Sequence, residues 1–415
     1  MRRLTTYEHT WLSIGPEGDL RQQDAQTLAQ MEAYLPKRCL DWGRHRVKFR
    51  QFCGLVQLGQ VQIEILPKIY QQQQPAQERR DLLEILAICG EFKALPALQA
   101  ELATGTQGLL DIFIWHFIYL LEHELQQGLL RDYRQTQATL GQVRGRIDLV
   151  RQQRENRLQP QRLACRFYEL VTDIPVNRLL HTSLLYLIDL VTVPELRQRL
   201  CRLRQRFIGI TCLPPRAKLV HPRELNRMQR RYADVVSLAR LFLQGRYLDI
   251  RAGEQPAFSL LFDMERLFER YAKEVVKPVV SQLGGYLFTQ GPRRYLAKDT
   301  MGKHRVHMRP DICIENQDQQ LLTVMDVKWK ILSGTDPLSC LATNDLYQIS
   351  VYAQVYGCSQ VFLLYPQQAT LTTSRQLQIV TGVTLHLMFV PLQKEKRTQW
   401  QNDLLTLLDF RQPID

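Results

Sequence analysis

The sequence predicts a multidomain α+β and α/β protein. A β-rich, barrel-like N-terminal domain is expected over residues 1–105, a mainly helical, arginine-rich region over 106–255, and an α/β domain over 256–415. Three observations carry this reading. Alternating apolar runs punctuated by glycine occupy the first segment, and apolar residues recur at threes and fours among arginines in the second. The third shows the succession helix, strand, strand, helix, strand. A chain of 415 residues with 45% hydrophobic content is long enough for two or three domains with buried cores.

In the first segment "HRVKFRQFCGLVQLGQVQIEILPKI" is broken at Gly54 and Gly59, and Val61, Ile63 and Ile65 fall on one face of a strand. A small barrel or sandwich follows. The run "YQQQQPAQERR" with Pro75 reads as a linker, and "DLLEILAICGEF" after it has helical periodicity. In the second segment "CRFYELVTDIPVNRLLHTSLLYLIDLV" reads as helix around a break at Pro175, and "VPELRQRLCRLRQRF" as a helix with arginine-rich faces. Between the helical runs, "LGQVRGRIDL" is a glycine-punctuated turn or short strand presenting Arg144 and Arg146. In the third segment a helix is expected at 260–280, strands at 309–315 and 321–329, a helix at 343–356 and a strand at 360–366.

Charge and cysteine usage narrow the function classes. The net charge is +13, and residues 131–240 alone hold 22 Lys and Arg against 9 Asp and Glu, leaving the rest of the chain neutral. Such a block suits phosphates or an acidic protein surface, because guanidinium binds both in a bidentate way; a solvated helical face with local ion pairs fits as well. Nine cysteines stand singly with no C-x-x-C pair, which points away from a zinc site or a disulfide framework and toward a reducing cytoplasm. The basic start lacks the apolar stretch of a signal peptide. The most apolar run, 109–121, is too short for a membrane span and carries Asp111 and His116, so no membrane association is expected.

The chemistry concentrates in "MRPDICIENQDQQLLTVMDVKWK", residues 308–330. Its two apolar runs, "PDICIE" and "QLLTVMDVK", predict an antiparallel hairpin. With Asp318 and Gln319 as the loop, Asp311 falls opposite Asp326, and alternation puts Lys328 on the same face. Three charges at one end of an apolar pair are costly unless they pair with one another or hold a cation. Two carboxylates a few ångströms apart can bind Mg²⁺ with positions left for water and substrate. A lysine supplies a fixed positive charge that orients the attacking water. Upstream, Glu265 and Glu269 share a helix face at i, i+4, where Glu269 can also pair with Lys273. Downstream, Gln348 and Tyr352 lie one helical turn apart.

This order resembles the PD-(D/E)xK restriction-endonuclease-like motif, with "PD" at Pro310 and Asp311 and "DVK" at Asp326 to Lys328. The Q-x-x-x-Y pair resembles RecB-like members. "FDMERLFERY", "MRPDICIE", "MDVKWK", "DLYQISVYA" and "LLYP", with "GQVQIEILPKI", "VRGRIDL" and "LVTDIPVNRLL" earlier, resemble the McrC family, the nuclease subunit of 5-methylcytosine-specific McrBC restriction systems. Glu265 stands where an asparagine is expected, so either Glu265 or Glu269 serves the metal site.

The resemblance implies a Mg²⁺-dependent endodeoxyribonuclease, with one or two ions. It cuts double-stranded DNA and stimulates an McrB-like AAA+ GTPase ring in a bacterial or archaeal cytoplasm. It implies Asp311, Asp326, Lys328 and Glu269 as catalytic residues, with Asp311 and Asp326 on the metal. Gln348 and Tyr352 support the site or contact DNA. Arg144 and Arg146 belong to a block that meets the ring or guides DNA; a local pair of Arg146 with Asp148 is the structural alternative. Two other classes stay open, a nuclease-inactive activator of an AAA+ ring and an autonomous RecB-like nuclease. The intact aspartates and lysine weigh against the former, and the 250 residues ahead of the nuclease segment against the latter.

Overall fold

A computed structural model describes residues 2–408 apart from 71–74, 92–107, 158, 160, 215, 216, 253, 254, 290, 333–337, 339, 369, 370, 380 and 381. The glutamine run lies outside the described residues, and the helix after it begins at Pro75. The chain forms two compact units, residues 1–109 with 247–415, and residues 110–246.

The expected N-terminal and C-terminal segments are thus parts of one unit, and the reason is a shared sheet. Its five strands run in the order Arg2–Tyr7, Val61–Leu66, Phe52–Leu58, Gln255–Asp263, Arg246–Ala252. Gln255–Asp263 pairs antiparallel with Phe52–Leu58, setting Leu261 opposite Gly54. Gly54 sits at φ +134°, and a Cβ there would lie 2.0 Å from the Leu260 carbonyl oxygen, so only glycine permits this approach. Val61–Leu66 is buried on both faces rather than one. The cost of burying Glu64 on it is met by a two-point pair with Arg79 at 2.6 and 2.7 Å. A second sheet, Trp11–Ser13, Arg46–Phe49 and Leu40–Gly43, completes the N-terminal part. Two open sheets therefore stand where a barrel was expected, and no closed barrel occurs among the described residues.

The site-bearing sheet of the same unit has six strands in the order Tyr286–Phe288, Ile312–Glu315, Leu321–Val327, Gln360–Pro366, Thr384–Val390, Arg375–Gln378. The first three pair antiparallel, whereas Leu321–Val327, Gln360–Pro366 and Thr384–Val390 run parallel. The helix Thr343–Tyr356 connects two parallel strands and packs Ile349, Tyr352, Ala353 and Tyr356 into a core with Val324, Val361, Leu363 and Leu385. It stops at Gly357, in the left-handed region at φ +69°. The helix Met264–Gln282 begins with Asp263 capping the amides of Glu265 and Arg266 and buries Leu267, Phe268, Tyr271 and Val275.

Residues 110–246 are not purely helical. The segment Leu163–Val171, expected to be helix, is the central strand of a three-stranded sheet with Asp132–Leu140 and Arg146–Ile147. It buries Cys165 and Phe167 at period two, and helix begins only at Pro175. Leu179, Leu180, Leu184 and Leu187 of that helix are fully buried, as are Val236, Leu238 and Phe242 of the helix Ala233–Gln244.

Candidate active site

The hairpin of the six-stranded sheet fixes the site. Ile312 pairs with Met325, Cys313 with Val324 and Ile314 with Thr323, the register expected from sequence. The loop is longer than expected. Asn316 accepts from the Gln319 amide and donates to the Gln320 carbonyl, and Gln319 adopts φ +59°. A bulge between Ile314 and Glu315 absorbs the extra residue. The bulge lies on the loop side of the pair, so the register toward Asp311 and Asp326 is preserved.

Asp311, just before the strand, accepts a hydrogen bond from the Val327 amide at 2.7 Å. Asp326 is 1% exposed, and Lys328 Nζ contacts its Oδ2 at 2.7 Å as an ion pair rather than an aligned hydrogen bond. Lys328 also donates to Gln348 Oε1 at 2.9 Å; Gln348 donates to the Tyr352 hydroxyl at 3.0 Å, and Tyr352 donates to the Arg309 carbonyl at 3.1 Å. This chain of bonds runs from the lysine back to the segment that carries Asp311. The Lys328 amide donates to the Leu364 carbonyl at 2.8 Å, which fixes its backbone to the neighbouring parallel strand.

The electrostatics show three carboxylates in one field. Burial, then the Asp326 and Glu269 charges, push Asp311 up to about 7 against the Val327 hydrogen bond and Lys328. Burial raises Asp326 as well, opposed chiefly by Lys328. Glu269, half-buried, is raised by burial and then by Asp326. Burial opposes the Lys328 charge, but Asp326, Asp345 and Asp311 outweigh it and hold its pKa above the ordinary value. Glu265 is exposed, and its field reaches Glu8. Of the two candidate glutamates, Glu269 is therefore the one electrostatically coupled to the aspartates.

Hard oxygen donors, mutually repelled and offset by one lysine, fit a divalent cation. Asp311, Asp326 and Glu269 are the residues that could hold it. Among the described residues no group of three or more His, Cys, Asp or Glu converges closely enough to enclose an ion. A cation here would keep water or phosphate oxygens in its shell, as Mg²⁺ commonly does.

Two neighbours were not singled out from sequence. Asp345, buried, pairs with Lys330 at 2.8 Å and accepts from the Tyr365 hydroxyl at 2.9 Å. Its position three residues before Gln348 in "NDLYQ" was a usable signal. Glu8, also buried, accepts from the Trp329 indole at 2.8 Å across 321 residues of chain, which no local pattern announces. Arg144 and Arg146 lie in the other unit. Arg144 is 3.6 Å from Glu169 and its guanidinium stacks 4.1 Å from the Phe167 ring centre. Arg146 is exposed. The local pair expected for Asp148 is made with Arg166, at 2.6 Å, and not with Arg146.

A two-unit α+β chain with a carboxylate–lysine centre at one end of a mixed sheet is thus defined. A family model described as McrBC 5-methylcytosine restriction system component matches residues 47–366. The chain belongs to that family. Among solved structures, it is similar to a chain in the refined half-complex from a tetradecameric assembly of Thermococcus gammatolerans McrB AAA+ hexamers with bound McrC. That match has 17% identity and a TM-score of 0.77, and covers 98% of this chain and 100% of that one. A chain of the cryo-EM Thermococcus gammatolerans McrBC complex is similar at 20% identity and a TM-score of 0.54, over 71% of this chain and 90% of that one. No curated protein sequence matches. At these identities the structural likeness speaks for the fold. No described helix is long and apolar enough to cross a membrane.

Proposed function

We propose that this chain is the DNA-cleaving subunit of a modification-dependent restriction system, a Mg²⁺-dependent endodeoxyribonuclease that works with an McrB-like AAA+ GTPase ring in the cytoplasm. The observation that carries the reading is the meeting of Asp311, Asp326 and Lys328 at one end of the hairpin, with Glu269 in the same field. Family membership and the fold shared with a chain from McrB–McrC assemblies support the partner.

In this reading one or two Mg²⁺ ions held by Asp311 and Asp326 supply Lewis-acid stabilisation of the charge that develops on the phosphate. Glu269 adds negative charge to the cation site. Lys328, fixed by Asp326 and Gln348, directs its remaining N–H toward the attacking water or a phosphate oxygen. Gln348 and Tyr352 hold the lysine and the Arg309 backbone in register and act as positioning residues. Arg144 and Arg146 contribute to the contact with the ring.

The test is Asp326→Asn in the full chain, assayed with the ring partner, GTP and Mg²⁺ on methylated and unmethylated DNA. Cleavage should fall at least about 1,000-fold, as expected when a residue needed for charge stabilisation is lost, while GTPase stimulation stays at the wild-type level. Cleavage at the wild-type rate by this variant would refute the site assignment.

A further inference from the structure

Outside the carboxylate centre, the strongest unassigned feature is a two-stranded ribbon, Arg294–Lys298 and His304–Met308, that joins no larger sheet among the described residues. Its pairing is regular, with Tyr295 opposite His307 and Lys298 opposite His304. A lone hairpin is marginal in water, so the ribbon needs anchoring at its base. Arg294 stacks over the Tyr356 ring at 5.2 Å and donates to the Val355 carbonyl, and the Tyr356 hydroxyl donates to the Pro292 carbonyl at 3.0 Å. The base therefore rests on the helix that also carries Gln348 and Tyr352, and the second strand leads through Arg309 into Asp311.

The ribbon is strongly cationic. Residues 293–309 hold six Lys and Arg against one acidic residue, Asp299. That aspartate is consumed locally. Its carboxylate accepts from the amides of Met301 and Lys303 and from Arg305 at 2.8–3.0 Å, which builds the turn. Lys298, Lys303, Arg293 and Arg309 have no carboxylate partner among the described residues.

At its base lies a cleft of about 460 Å³ lined by Thr289, Gly291, Arg293, Tyr295, His307 and Arg309. Its hydrogen-bonding character follows from one contact. Arg309 Nε donates to His307 Nδ1 at 3.1 Å, and arginine can only donate, so His307 is an acceptor there and carries its proton on Nε2. That Nε2 is buried without a hydrogen-bond partner. The cleft thus presents two guanidinium groups and a threonine hydroxyl, with an unmatched imidazole N–H buried in its wall, and no acidic lining residue. Such a set selects an anion with several acceptor oxygens.

From this we infer that the ribbon and its cleft form a clamp for the DNA backbone. A phosphate of the strand to be cut sits between Arg293, Arg309 and His307, and Lys298 and Lys303 hold flanking phosphates. The inference rests on the DNA-cleavage reading and adds to it where the substrate is held. Only Pro310 separates Arg309 from Asp311, so a phosphate seated in the cleft places the neighbouring backbone beside the carboxylates. The contacts are to phosphate alone, so the clamp positions DNA without reading its sequence.

The experiment measures binding of the full chain to a fluorescent DNA duplex by anisotropy, in EDTA, over a range of salt. The variant Arg293→Gln, Lys298→Gln, Lys303→Gln, Arg309→Gln should bind at least about 10-fold more weakly near 0.1 M salt, and its log–log salt slope should fall by about 0.9 for every phosphate no longer neutralised. His307→Phe should weaken binding about fivefold, the equivalent of one neutral hydrogen bond, with the slope unchanged. Wild-type affinity and slope in the quadruple variant would overturn the inference. So would a loss of affinity confined to Arg197→Gln, Arg202→Gln, Arg204→Gln on the exposed helix of the other unit. Displacement of the duplex by micromolar GTP would likewise overturn it in favour of a free nucleotide.

Binding without metal keeps the two readings apart. If the ribbon variant loses duplex affinity but the wild type never cuts with its partner and Mg²⁺, the clamp stands and the cleavage reading fails. If the variant binds and cuts normally, the reverse holds.

Discussion

Replacing Asp311 by asparagine removes one negative charge from a buried site that already holds two others. The carboxyl sits at about 7 instead of its ordinary 3.8, so the folded protein binds this proton more tightly than the unfolded chain does. Its contribution to stability is fully present below about pH 4 and is lost as pH rises toward 7. The gap of about three pH units, at 1.36 kcal/mol each, sets a ceiling of about 4 kcal/mol on the strain carried by the ionised form. Asparagine keeps an acceptor for the Val327 amide but not a charged one, which returns about 1 kcal/mol. A net gain of about 1–3 kcal/mol above neutral pH follows once local relaxation is allowed for.

For a unit of this size that is a rise in melting temperature of roughly 2–12 °C at pH 8, at about 2–4 °C per kcal/mol. Thermal unfolding of wild type and Asp311→Asn in EDTA at pH 5 and pH 8 tests it, because at pH 5 only about one of the three pH units between the unfolded and folded carboxyl has been crossed, so the difference should be less than half of that at pH 8. Added Mg²⁺ should stabilise the wild type and not the variant, and cleavage by the variant should be lost. A variant less stable than wild type at pH 8, or a difference that is the same at both pH values, would refute the claim that three carboxylates strain this site.

Two further outcomes are expected. Gln348→Leu removes the second anchor of Lys328 and leaves Asp326 as its partner; cleavage should fall about 10–100-fold, in kcat rather than KM, as for other residues that orient a site without touching substrate, with the melting temperature nearly unchanged. A change confined to KM would argue for a direct DNA contact instead. Gly54→Ala puts a Cβ 2.0 Å from the Leu260 carbonyl oxygen and should cost about 4 kcal/mol or more, enough to leave little soluble protein; normal yield and melting behaviour would contradict the strand register.

The candidate site was legible because its residues lie close in sequence on regular elements. Period-two alternation and the antiparallel register placed Asp311, Asp326 and Lys328 together, and helical spacing placed Gln348 with Tyr352. A wrong loop length did no harm, since the bulge between Ile314 and Glu315 restored the register before it reached the aspartates. The misreadings arose where local pattern is ambiguous. Leu163–Val171 mixes Ala164, Tyr168 and Glu169 into its alternation, so it looks as helical as the segment after Pro175. The ribbon escaped notice because its six positive residues are averaged away when charge is counted over everything outside residues 131–240.

What sequence could not supply is the pairing of distant segments, and here that pairing bears on the site itself. Lys328 directly follows the strand carrying Asp326, and Trp329 comes next. The Trp329 indole donates to Glu8, while its ring lies 5.1 Å from that of Phe268, the residue before Glu269. Glu8 is buried and pushed up to about 7 by desolvation, opposed by Lys68 and by the indole hydrogen bond itself. A buried carboxyl is a costly anchor for an indole, and it is placed where the chain leaves the strand that carries Asp326. The N-terminal strands therefore help set where the lysine stands, together with the helix that brings Glu269. The first hundred residues and the last hundred and seventy are thus joined by this contact as well as by their shared sheet, although the chain runs through another unit between them.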